Sequence, residues 1–136
     1  MTMDIIYGTG FEVTDVKEED LICFLKNHQE SISKNGLQVW NENEINEEAH
    51  CTISDNEGRN AVVQNVMHAE TGICFEFWID EEAQREYILL PELPPWLYNE
   101  KEKALTHRDL CEILNRYITE LGLETYSDYI RIEYFS

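Results

Sequence analysis

The chain has 136 residues, with 28 Asp and Glu against 10 Lys and Arg, a formal net charge of −18. That length suits one domain spanning residues 1–136, and a content of 43% hydrophobic and 28% charged residues excludes collagen, low-complexity sequence and wholesale disorder. A surface this negative is repelled by bare nucleic acid and by anionic lipid, so the partner to expect is a basic protein, with no direct nucleic-acid or membrane contact.

The charge is spread evenly: residues 1–30, 31–60, 61–90 and 91–136 carry −5, −4, −5 and −4. An acidic tail on a neutral domain is therefore excluded. Residues 1–11 lack the basic start and long apolar stretch of a signal peptide, and the apolar run 21–25 is far short of the ~20 residues needed to cross a bilayer. Cys23, Cys51, Cys74 and Cys111 are widely spaced with no C-x-x-C among them, as expected of reduced thiols in a cytoplasmic protein.

The first element predicted is a short strand or hairpin over residues 4–13, interrupted at Gly8 and Gly10. Asp15 and Glu18 have capping-box spacing, and Leu21, Phe24, Leu25, His28 and Ile32 follow at helical intervals, predicting a helix over residues 15–31 that stops at Asn35-Gly36. Residues 37–40 read as a short strand and 41–48 as a polar connection. Residues 51–54, 61–67, 73–79 and 86–90 read as a β-meander separated by turn-forming segments. Ile73, Phe75, Phe77 and Ile79 alternate cleanly. Residues 61–69 also fit a helical stripe through Val62, Val63, Val66 and Met67, so strand and helix both remain open there. Pro91, Pro94 and Pro95 mark a turn in the path.

Thr106 with Asp109 is a second capping box, followed by a stripe of Leu110, Ile113, Leu114, Tyr117, Ile118 and Leu121, with Gly122 where a helix C′ residue belongs. Residues 128–135 alternate as a last strand. The whole predicts an α+β fold of order β-α-β(n)-α-β, a mainly antiparallel sheet with two packed helices.

Enzyme signatures for phosphate loops, dinucleotide folds, nucleophile elbows and zincins do not occur, which weighs against catalysis, and no cofactor is implied. His50 and Cys51 are neighbours that a strand would point to opposite faces, and His68 with Cys74 makes only two donors, so no metal is expected. His107 and Cys111 stand at i,i+4 spacing, the geometry of an activated thiol, but equally that of a cap histidine beside a core cysteine.

On residues 108–120, Arg108, Glu112, Arg116 and Glu120 form i,i+4 pairs that neutralise that helix face. The uncompensated acids lie elsewhere. Glu42, Glu44, Glu47 and Glu48 have no base in their segment, and Asp80, Glu81, Glu82 and Glu86 have only Arg85. Closely spaced carboxylates imitate the charge spacing of a nucleic-acid strand, one phosphate per ~3.4 Å. Trp96 and Tyr98 add large amphipathic anchors. These ten residues are the expected partner-binding set.

In size, charge and compactness the chain resembles inhibitors of restriction or CRISPR nucleases from phages and mobile elements, and immunity proteins that neutralise toxin nucleases. The resemblance implies a non-enzymatic inhibitor of a basic, nucleic-acid-handling enzyme. Two alternatives are a small enzyme or ligand-binding domain with a pocket near Glu76, Cys74 and Trp78, and a structural or assembly subunit.

Overall fold

A computed structural model of the protein describes residues 3–14, 16–34 and 56–135. In chain order these are β1 (Met3–Glu12), α1 (Glu18–Asn27), α2 (Gln29–Lys34), α3 (Asn56–Thr71), β2 (Glu76–Asp80) and β3 (Arg85–Pro91). A 3-10 turn (Pro95–Leu97), α4 (Glu100–Ala104), α5 (His107–Glu120) and β4 (Asp128–Phe135) follow. The strands form an antiparallel sheet of order β2-β3-β1-β4. The class is α+β with an antiparallel sheet, as expected, but five α-helices are described where two were expected. Residues 61–67 are helical, and the strands expected at 37–40 and 51–54 lie outside the described residues. Among the described residues no helix is long and apolar enough to cross a membrane.

The α3 result shows tertiary burial overriding local preference. Its valines favour strands, but Val63, Val66 and Met67 recur at helical spacing and all three are buried. They join Leu21, Phe24 and Leu25 of α1 and Leu110, Leu114, Tyr117 and Ile118 of α5 in one cluster with Phe11 and Ile88 of the sheet. The α1 segment begins at Glu18 after an N-cap Lys17 whose side chain makes no cap bond, while the expected cap Asp15 lies outside the described residues. It ends at His28, whose backbone leaves helical geometry (φ −115°, ψ 19°) before α2 resumes.

The last helix follows its sequence closely. Thr106 accepts from the Asp109 N–H, and the Asp109 carboxylate accepts from the Thr106 N–H. At the other end Gly122 adopts φ +66°, its N–H bonding to the Thr119 carbonyl and the Leu123 N–H to the Ile118 carbonyl, the pair of bonds of a Schellman motif. A capping box unseen in the sequence opens α4, between Asn99 and Glu102. The buried Glu102 carboxylate also accepts the Cys74 N–H at 2.7 Å, tying α4 to the segment before β2.

β1 is one unbroken ten-residue strand rather than a hairpin. Gly8 and Gly10 serve close approach instead of a turn: a Cβ on Gly8 would lie 2.6 Å from the Leu89 Cδ1, and one on Gly10 2.5 Å from the Leu89 Cα. Register places Gly8, Gly10, Leu89, Ile6, Ile132, Trp78 and Tyr134 on the sheet face opposite to Phe11 and Ile88. Leu89 and Ile132 are fully buried there. The sheet curls over this second face until its two edge strands meet, with the rings of Trp78 and Tyr134 in contact.

Candidate interaction surface

The acidic turn between β2 and β3 stands at the surface. Asp80 closes β2 and accepts the Ala83 N–H at 3.1 Å, and Gln84 reverses the chain at φ 55°. Glu81 and Glu82 are exposed and meet no cation among the described residues. The one base of the segment, Arg85, reaches instead toward Glu12 at 3.9 Å. Glu86 departs from the expected set. The register sets it opposite Ile79 on the helix-bearing face, where it is 5% exposed, so it does not contribute to a displayed acidic surface. Glu42, Glu44, Glu47 and Glu48 lie outside the described residues, as do His50 and Cys51.

Trp96 and Tyr98 separate into different roles. Trp96 stands 77% exposed on the 3-10 turn, beside exposed Leu97. Tyr98 is half-buried, donating its hydroxyl proton to the Pro91 carbonyl at 2.9 Å and accepting the Leu93 N–H at 2.8 Å. It braces the loop that carries Trp96.

A feature that sequence reasoning missed is the bare half of the helix-bearing sheet face. Phe11 and Ile88 on that face lie under the helices, but Met3, Ile5 and Tyr7 of β1 and Tyr129 of β4 point the same way and are 50%, 39%, 38% and 56% exposed. Tyr7 and Tyr129 stack at 5.8 Å with their planes 16° apart. The Tyr129 hydroxyl donates to Glu92 at 2.6 Å; that bond, a little desolvation and the Glu92 charge push it up to about 12. Arg131, opposite Tyr7 in the β1–β4 register, pairs with Glu133 at 2.6 Å. Alternation within each strand was legible, but the meeting of the two strands was not.

A second missed feature joins three helices. The His28 ring packs on Phe24 at 4.4 Å, its Nδ1 lies 2.7 Å from Glu70 of α3, and its Nε2 meets Glu120 of α5. Both nitrogens can donate only as imidazolium. Tyr117 donates its hydroxyl proton to Glu70 at 2.5 Å, and Ser31 donates to it at 2.9 Å. Burial raises the Glu70 carboxyl, but the bonds from Tyr117, His28 and Ser31 and the His28 charge outweigh it, so it titrates below the usual range. Burial and then Glu70 push the Tyr117 hydroxyl far up. One signal was available: His28 falls on the apolar stripe beside Phe24 and Leu25, where a polar ring needs partners.

The network also revises the charge pattern of α5. Arg108 pairs with Glu112 at 3.2 Å as expected, but Glu120 turns inward to His28, and Arg116 lies over the Tyr117 ring at 5.1 Å. The His107 Nε2 does meet the Cys111 Sγ at 3.5 Å on an exposed stretch of α5. Glu76 accepts the Trp78 indole N–H at 3.3 Å. The Cys74 thiol is pushed up by burial and by the charge of Glu102. Among the described residues no group of three or more His, Cys, Asp or Glu side chains is arranged to hold a metal ion.

Comparison with known proteins gives no match to a protein-family model, to a curated protein or to a solved structure.

Proposed function

We propose that this protein is a non-enzymatic, acidic binding protein that blocks a basic, nucleic-acid-handling enzyme by occupying its charged groove, in the manner of an anti-restriction or anti-CRISPR mimic or of a nuclease-toxin immunity protein. The observation that supports this reading best is the β2–β3 turn. Asp80, Glu81 and Glu82 crowd the bend between two paired strands, and the one base of the segment, Arg85, is directed to Glu12. Like charges held together cost stability, and a cationic partner removes that cost. With a net charge of −18, long-range attraction speeds encounter with a basic groove and makes association sensitive to salt.

The test is charge reversal. The tagged protein is used at low salt to recover a basic enzyme from its host, and the purified pair is then measured in solution. Asp80→Lys, Glu81→Lys and Glu82→Lys together abolish inhibition of that enzyme while leaving the circular dichroism spectrum unchanged. Undiminished inhibition by the folded triple variant contradicts the reading.

A further inference from the structure

The bare sheet face does not end in open solvent at its Met3 end. Met3, Ile79 and Tyr134 form the walls of a cavity of about 150 Å³ where the edges of the curled sheet approach, and Glu81, Glu82 and Glu133 complete its lining. Such a volume accepts a group roughly the size of benzene. Apolar walls with carboxylates around them match the build of a lysine or arginine side chain, whose methylene stem covers apolar surface while its head stays with charge.

We infer that the exposed face of β1 and β4, together with this cavity, docks a basic partner protein that inserts a lysine or arginine side chain between Glu81, Glu82 and Glu133 and lays flanking apolar residues over Met3, Ile5, Tyr7 and Tyr129. The inference rests on the proposed reading in one respect, that the partner is a basic protein; it adds where that partner sits and what it presents. Charge selects this occupant. Glu133 already holds Arg131, but Glu81 and Glu82 meet no cation among the described residues, so a neutral or anionic insert leaves two carboxylates desolvated without compensation. A second copy of this chain brings a further −18 to the contact and is repelled. The stacked rings of Tyr7 and Tyr129, the latter held by Glu92, supply a preorganised aromatic platform.

A random peptide library displayed on phage is the probe, selected at low salt on the full-length protein. Enriched peptides are expected to carry Lys or Arg beside apolar residues and, as synthetic peptides, to shift the backbone amides of Met3, Ile5, Tyr7, Tyr129 and Glu133. Met3→Glu with Ile5→Glu, and separately Glu81→Lys with Glu82→Lys, each weaken that binding by about tenfold or more. The second pair lies on an exposed turn, so it carries the test if the first fails to fold. Peptides lacking a cation, amide shifts confined to other surfaces, affinity unchanged in the Glu81→Lys, Glu82→Lys variant, or a dimer in light scattering that the Met3→Glu, Ile5→Glu variant dissolves would overturn the inference. Peptide binding at this face without inhibition of any basic enzyme rejects the proposed function and keeps the surface. Inhibition that survives the Met3→Glu, Ile5→Glu variant in folded form rejects the surface and keeps the function.

Discussion

Trp78 and Tyr134 touch ring to ring, centroids 4.8 Å apart and planes tilted by 46°, although they belong to β2 and β4, the outermost strands of the sheet. An open sheet holds such edges far apart, so this pair marks where the curl closes. It also forms one wall of the acidic cavity, through Tyr134. Aromatic pairs contribute roughly 0.5–1.5 kcal/mol beyond the area they bury. Trp78→Ala is expected to lower the unfolding free energy by about 2–3 kcal/mol in urea titration, less than for a fully buried tryptophan because Trp78 is half-buried. Trp78→Phe, which keeps a ring, costs under about 1.5 kcal/mol. Equal midpoints for Trp78→Ala and the parent protein contradict the closure.

The curl depends on glycine at two positions of β1. Alanine at position 10 puts its methyl carbon 2.5 Å from the Leu89 Cα, a backbone atom that cannot rotate away. Gly10→Ala is therefore expected to destabilise by about 1–3 kcal/mol, the range for overpacking a closed site. The reverse holds for an ordinary strand glycine, where alanine stabilises. Chemical denaturation of Gly10→Ala gives the sign directly.

Acid should loosen the contact of α3 with the α1–α2 junction and with α5. The Glu70 carboxyl titrates below its usual value of 4.5 in the folded protein because Tyr117, His28 and Ser31 donate to it. In that range the unfolded chain binds more protons than the folded one, so stability rises with pH there. The contribution is fully present above about pH 4.5 and is lost as pH falls through the folded value. Glu70→Gln should flatten this part of the stability profile, measured by urea unfolding across the acid range. A profile as steep as the parent's means that Glu70 is not the group concerned.

Tyr129 offers a site-specific readout of the bare face. Its hydroxyl, held by Glu92, should titrate near 12 when followed through its ring-carbon resonance. Glu92→Gln removes the charge and most of the hydrogen-bond bias, returning the titration toward 10.0. No change on substitution means that the two side chains do not meet in solution.

What the sequence disclosed was whatever depended on near neighbours. Thr106 with Asp109, the apolar spacing after them and Gly122 define α5 within one stretch, and each does in the structure what its position suggested. Asp80, Glu81 and Glu82 are consecutive, so their crowding needed no tertiary knowledge. Misreadings arose where one residue type has two uses. Glycines 8 and 10 look the same whether they turn a hairpin or admit a neighbouring strand, and the valines of α3 suit a strand until burial of Val63, Val66 and Met67 decides the matter. Remote pairing hid the rest. Glu86 is removed from the surface by its register with Ile79, Glu120 is drawn to His28 and away from Arg116, and the stacking of Tyr7 on Tyr129 exists only because β1 and β4 pair.

Carboxylates that stand in for nucleic acid must compete with it, and a displacement experiment measures that competition. A basic enzyme recovered with this protein is loaded with fluorescent DNA, and the protein is titrated in at low and then at high salt. DNA is expected to be displaced at low salt, displacement to weaken as salt rises, and the Asp80→Lys, Glu81→Lys, Glu82→Lys variant to leave the DNA bound. A ternary complex, with DNA and protein held together on the enzyme, contradicts it.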